Sequence, residues 1–282
     1  MGSEPQAQRS AGGLWYLHAG PGDPATGTGA WAAADPVVFL HGWAAFKEIW
    51  WGTLRRISDR YSAVALEWPG HGASSPEPQP TLASLVHLTV RACTELGLER
   101  VTLVGHSMGG NVAAHVALAH PDLVARLVLV DAALDARHIA GYGRRFLDPA
   151  VLQGTVRSSR QLSSTLSRFR AGHDHRGGLV APYLRRAHYN GLADDVALHG
   201  YLRSLYDTPL TDRLPQIGQP TLVITGALDP LVLPRQARLA AAAIPNARLA
   251  VIPASLHTPM DERPAAFARV LRRFLDDNAP GP

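Results

Sequence analysis

The sequence predicts a mostly parallel β-sheet covered on both faces by helices, an α/β fold interrupted by one helical insertion. Three observations predict it. Short β-branched runs alternate with segments of helical period as far as residue 132 and again from 215. The central runs are apolar without a break, as strands buried on both faces are. Between 133 and 214 the alternation stops, leaving several helix-like pieces and no convincing strand. The expected layout is a disordered N-terminal tail at 1–12, a core formed by 13–132 and 215–277, and a helical lid inserted at 133–214. At 282 residues, one such domain is the natural size.

The elements follow in order. Leu14 to His18 and the region near Trp31 read as two short opening strands, separated by the turn-rich stretch Gly20 to Gly29. Pro36 to Leu40 is a buried strand ending in His41-Gly42-Trp43. Ala45 to Ser58 has helical period, and Tyr61 to Leu66 is the next buried strand. Thr81 to Gly97 reads as a helix, with Thr81 as N-cap, Leu82, Leu85, Val86, Val90 and Cys93 on one face, and Gly97 as terminator. Val101 begins an apolar strand that runs into Gly105-His-Ser107-Met-Gly109 and then an Ala-rich helix, Asn111 to Ala119. Arg126 to Val130, Thr221 to Thr225 and Arg248 to Ile252 are further strands, with helices at Pro234 to Ala243 and Pro264 to Leu275.

Composition narrows the function. The net charge is +4, and the basic residues are 26 Arg and a single Lys, Lys47, a ratio that reads as coding bias. Between Leu134 and Arg213 there are 12 Arg against seven Asp and no Glu, so the positive excess lies in the insertion. A solvated basic face is the ordinary explanation; attraction of an anionic or carrier-linked acyl substrate is the sharper one. No basic repeat with interleaved aromatics suggests nucleic acid. No apolar run approaches the roughly 20 residues that span a bilayer. One cysteine, Cys93, excludes an internal disulfide, and the first ten residues lack a basic-then-apolar export pattern, so the expected location is cytoplasmic.

Chemistry is concentrated where strands end. A Ser between glycines in a tight strand-to-helix turn is held out of the sheet, and the helix it starts aims free N–H groups at the same spot. Ser107 is therefore the candidate nucleophile. It needs a base, and a carboxylate to orient that base. Of 13 His residues only His257 lies beyond Asp229, so the chain order Ser, Asp, His leaves one base if Asp229 is the acid. Asp131, also at a strand end, is the rival acid. The backbone N–H groups of Trp43 and Met108 are the expected oxyanion donors. His173-Asp174-His175 is too sparse for a metal site and reads as a solvated loop, so neither metal nor cofactor is expected. Glu67 and the remaining His residues carry no signal separable from packing.

With these residues in place the chain resembles the α/β-hydrolase superfamily from about Trp15 to Leu275. The resemblance rests on His41-Gly42-Trp43, Trp68-Pro-Gly-His-Gly72 before Ser74, Gly105-His-Ser-Met-Gly-Gly110, Gly226 to Asp229, and His257-Thr-Pro-Met-Asp-Glu-Arg-Pro264. It implies an α/β-hydrolase fold with a helical lid and a serine hydrolase of esterase or lactonase type, while leaving the substrate open. Ser107 argues against the epoxide hydrolases and haloalkane dehalogenases, whose nucleophile is Asp. His106 stands where C–C bond hydrolases usually carry Asn, and the His-Ala-Gly-Gly loop of type II thioesterases is absent. Leu256 and Glu67 replace the Gly and Asp of many relatives. The same residues would also serve C–C hydrolysis, thioester or acyl transfer, or a cyclisation in natural-product synthesis; a catalytically silent binding protein is the reading from another class. The lid aromatics Tyr142, Phe146, Phe169, Tyr183, Tyr189 and Tyr201 are expected mainly to pack within the lid.

Overall fold

The computed structural model describes residues 2–22, 35–72, 74–139, 141–166 and 192–277. Eight strands form one sheet: β1 (Gln6–Arg9), β2 (Trp15–Ala19), β3 (Val37–Leu40), β4 (Ala63–Leu66), β5 (Val101–His106), β6 (Val124–Val130), β7 (Thr221–Gly226) and β8 (Ala247–Ile252). Their order is β1-β2-β4-β3-β5-β6-β7-β8. β1 and β2 are antiparallel additions, and β4 through β8 run parallel.

The period of two in each strand sends alternate side chains to two cores. Val38 and Leu40 join Leu82, Leu85, Val112 and Ala237 on one face; Val37 and Phe39 join Leu54, Ile57, Phe267 and Leu271 on the other. The helices on the first face are α2 (Leu82–Glu95) and α3 (Met108–Ala119), and α1 (Trp51–Ile57) lies on the second. Thr81 caps α2 as expected, its hydroxyl accepting from Ser84 N–H while the Ser84 hydroxyl takes the Thr81 N–H. Gly97, at φ 66°, follows the helix where a side chain would be strained.

The insertion between β6 and β7 contains α4 (Pro149–Leu166) and α5 (Asp195–Asp207), with short 3₁₀ turns and no strand among the described residues. Asp194 caps α5 through Ala197 N–H. After the insertion come α6 (Pro234–Ala243), the short α7 (Pro259–Glu262) and α8 (Pro264–Asp277). α8 buries Phe267, Ala268, Leu271, Phe274 and Leu275 at helical spacing and leaves Arg269 and Arg273 in water.

Three elements differ from those expected. The expected disordered tail contributes β1, hydrogen-bonded to β2 with Gln6 opposite His18 and Arg9 opposite Trp15. It is an edge strand of Gln, Ala, Gln and Arg, mostly exposed, so it has no apolar alternation to read; a tight turn at Ser10 to Gly13 and a Tyr16 hydroxyl donating to Gln8 at 2.7 Å hold it. The expected helix from Ala45 to Ser58 is a 3₁₀ turn, Lys47–Trp50, followed by α1. α7 was not foreseen. The strand expected near Trp31, the His173-Asp174-His175 loop and the aromatics Phe169, Tyr183 and Tyr189 lie outside the described residues. Of the other insertion aromatics, Tyr201 is fully buried in the first core and Phe146 is half-buried.

Candidate active site

Strain marks one edge of the sheet. The non-glycine residues with positive φ among those described are Ala44, Ser107, Asp131 and Ala254, in the loops after β3, β5, β6 and β8. Such conformations cost about 1–3 kcal/mol each and persist only where the surroundings over-determine them. All four lie at the C-terminal ends of parallel strands, where open α/β sheets bind ligands.

Ser107 adopts φ 53°, ψ −117° between β5 and α3. Its N–H donates to Val130 O at 2.9 Å, and its carbonyl accepts from Gly110, Asn111 and Ala133 N–H. The residue is pinned from both sides and remains half-buried. The flanking glycines are needed for close approach: a Cβ on Gly109 would stand 2.5 Å from the carbonyl oxygens of Leu40 and His41. On Gly42 it would stand 3.0 Å from Ser107 Cβ, so the loop after β3 abuts the serine directly. Trp43 follows Gly42 in that loop, and Met108 is the first residue of α3. Trp43 also reaches the insertion, its indole N–H donating to Leu198 O at 2.7 Å and its ring lying 5.4 Å from that of Phe146.

Asp229 and His257 come together from the β7 and β8 loops. His257 Nδ1 lies 2.8 Å from Asp229 Oδ2, and both residues are buried. Asp229 Oδ1 accepts from Leu231 N–H at 2.7 Å and Val232 N–H at 3.1 Å. With its other oxygen so filled, Asp229 accepts a hydrogen bond from His257 Nδ1–H through Oδ2, which leaves Nε2 as the bare nitrogen.

The rival acid, Asp131, binds elsewhere: its Oδ1 accepts from Gly226 N–H at 3.0 Å. Complete burial, then the nearby Asp229 carboxylate, push its pKa well above the usual carboxylate range. One Asp131 oxygen, a His106 ring nitrogen and a His257 ring nitrogen lie within 4.8 Å of one another, the donor set a metal would need among the described residues. All three residues are already engaged with protein: Asp131 with Gly226 N–H, His257 with Asp229, and His106 through Nε2, which donates to His257 O at 2.7 Å.

Three positioning groups had no signal in the sequence. His106 ties the strand bearing Ser107 to the loop bearing His257. Glu262, buried at the end of α7, accepts from Ser255 Oγ, Leu256 N–H, Thr258 N–H and Thr258 Oγ, and so binds the backbone on both sides of His257. Glu67, wholly buried beyond β4, accepts from Lys47 N–H at 2.9 Å and Lys47 Nζ at 2.7 Å. Burial pushes the Glu67 carboxyl up, but His41 and Lys47 beside it outweigh that and hold it down at about 2. His71 next door, stripped of water and facing His41, is pushed down to about 3. A cavity of about 450 Å³ is lined by Arg9, Pro69, Ser84, His87 and Arg91, and none of Ser107, Asp229 or His257 lines it.

Residues 35–264 match the family model described as alpha/beta hydrolase fold. The chain is 30% identical to a pimeloyl-[acyl-carrier protein] methyl ester esterase of Nitrosomonas europaea, over 82% of this chain and 92% of that one. It is 28% identical to an uncharacterized protein of Mycobacterium tuberculosis, over 88% and 78%. Among solved structures, a hydrolase from Pseudomonas aeruginosa superposes with a TM-score of 0.70 at 25% identity, covering 97% of this chain and 98% of the other.

Proposed function

The chain belongs to the alpha/beta hydrolase fold family, and from that premise we propose that it is a serine hydrolase cleaving a carboxylic ester or lactone through an acyl-enzyme on Ser107. The observation that carries the reading is the 2.8 Å contact between His257 Nδ1 and Asp229 Oδ2 beside a serine held at positive φ. Ser107 Oγ attacks the carbonyl carbon as His257 Nε2 takes its proton. The oxygen that becomes negative is met by the N–H groups of Trp43 and Met108. Collapse expels the alkoxide, which takes the proton from His257, and water repeats the sequence on the acyl-enzyme to release acid and free Ser107. Asp229 stays ionised throughout and stabilises the imidazolium. The core at 13–132 and 215–277 carries this chemistry, and the insertion at 133–214 acts as its lid.

A finer reading, that the acyl group arrives acidic or carrier-linked, is supported by the Arg excess of the insertion and by the carrier-protein ester named for the Nitrosomonas relative. The one described cysteine is buried, which suits a reducing cytoplasm.

The test is labelling with a fluorophosphonate probe and mass mapping, with Ser107→Ala and His257→Ala as controls. Labelling at Ser107 that both variants lose supports the reading. Product analysis on esters, lactones, thioesters and vinylogous diketones then separates hydrolysis from acyl transfer, cyclisation or C–C cleavage, and methyl esters offered free or on acyl carrier protein test the finer reading. No labelling of the folded wild-type protein would sink it in favour of a silent binding protein.

A further inference from the structure

The only lysine of the chain is buried. Among 27 basic residues the other 26 are Arg, yet Lys47 is 5% exposed, with Nζ 2.7 Å from Glu67 and 2.8 Å from Glu48. A buried ion pair is expensive to desolvate, so its presence asks for a role other than stability. Its neighbourhood supplies one. Glu67 grips residue 47 twice, through the side-chain ammonium and the backbone N–H. At the other end of the same loop His41 is clamped to Glu67 and the residue after it: His41 Nε2 lies 3.4 Å from Glu67 Oε1 and 3.1 Å from Trp68 N, and His41 O accepts from the Trp68 indole at 2.8 Å. His41 Nδ1 in turn donates to Gly42 O at 2.9 Å. Trp43 and the strained Ala44, at φ 50°, lie between these two anchors. A positive-φ alanine relaxes unless its flanks are fixed.

We propose that the Lys47–Glu67 pair, together with the His41–Trp68 clamp, is the positioning device that keeps the strained 42–46 turn in the one conformation aiming Trp43 N–H at the oxygen of the reacting carbonyl. Lys47 and Glu67 are positioning residues and touch no substrate. An ammonium on a flexible stem fills a narrow slot between two carboxylates, which the planar fork of arginine does not match. The inference rests on Ser107 being the nucleophile and Trp43 N–H an oxyanion donor.

Replacing Lys47 or Glu67 alone would strand the other's charge in the interior, so the informative variant is the double replacement Lys47→Met with Glu67→Met, which removes the buried pair at similar volume and leaves Glu48, the partly exposed third charge, in contact with solvent. Circular dichroism and thermal melting check that it folds. Fluorophosphonate labelling, p-nitrophenyl acetate turnover and inhibition by an alkyl trifluoromethyl ketone are compared with wild type. Removing one oxyanion donor costs about 10²–10³ in kcat, and loosening one costs less, so kcat is expected to fall about 10–100-fold. The ketone's inhibition constant should rise by a similar factor, because its adduct bears the oxyanion, while KM stays within twofold. Ser107 is still labelled, more slowly. A folded double variant with wild-type kcat and ketone affinity overturns the proposal and leaves the serine reading standing. Equal losses in KM and kcat would also overturn it, as would a variant that fails to fold while Lys47→Arg retains full activity. If wild type is neither labelled nor active, the serine reading itself fails first.

Discussion

Asp229→Asn is expected to abolish activity for a reason written in the backbone around it. In the wild type Oδ1 accepts two N–H groups, from Leu231 and Val232, while Oδ2 faces His257 Nδ1. An asparagine there must turn its carbonyl oxygen toward those two donors, because turning the amide around would set N–H against N–H twice. The NH₂ group then points at His257 Nδ1 and needs an acceptor. His257 answers by moving its proton to Nε2, the nitrogen that must be bare to accept from Ser107. The wrong tautomer costs about 10⁴ in rate in a serine triad, or roughly 5.4 kcal/mol of transition-state stabilisation. Folding should survive, since both backbone donors keep a partner. Asp229→Ala orphans both, at about 1–3 kcal/mol each, yet forces no tautomer. The asparagine variant is thus expected to be the more stable and no more active of the two. The assay is the second-order rate of fluorophosphonate labelling, with thermal melting alongside. A rate for Asp229→Asn within tenfold of wild type would refute the tautomer argument and bring Asp131 forward as the acid.

Four further predictions follow the same site outward. Ser107→Gly should abolish labelling and raise stability by about 1 kcal/mol, by relieving the positive φ, which differential scanning calorimetry can read. Glu262→Ala removes the acceptor of four donors around His257; a loss of about 3 kcal/mol, some 6–12 °C in Tm, with slowed labelling is expected, and an unchanged Tm would refute the brace. Burial pushes the Cys93 thiol up to about 12, so a disulfide reagent at pH 8 should react with it only after unfolding. The Glu67 carboxyl is held at about 2 against an ordinary value of 4.5, so the unfolded chain takes up the proton first as pH falls. The stability this group contributes is present above about pH 4.5 and is lost toward pH 2. Urea melts across that window should show a flatter decline in the Lys47→Met, Glu67→Met double variant than in wild type.

Much of this arrangement was legible in the sequence, for reasons that particular residues make clear. Val37 to Leu40 is apolar on both faces, and Val101 to Val104 is so but for Thr102, because helices cover both faces of the sheet. Chain order alone singled out His257 once Asp229 was taken as the acid, and the two do meet. What stayed hidden depends on which loops fold against each other. β1 is an edge strand, so nothing in its composition had to be apolar. Nothing in the local sequence marks Glu262, and its role exists only because α7 folds back on residues 255–258. Lys47 is the instructive miss. Its solitude reads as codon bias in the sequence, while the fold buries it between Glu48 and Glu67.

The bond from the Trp43 indole to the insertion ends on the carbonyl of Leu198, a backbone atom. Every amino acid placed at 198 would present the same acceptor, so this tie between core and insertion is indifferent to the sequence of the insertion at that position. The side chain at 198 can therefore change without removing this acceptor, and the loop beside Ser107 keeps the same attachment. The inheritable requirement falls on the core side, on a tryptophan at position 43, and on the helical path of α5. The insertion and the turn beside Ser107 are thus joined by a contact that transmits position without transmitting identity.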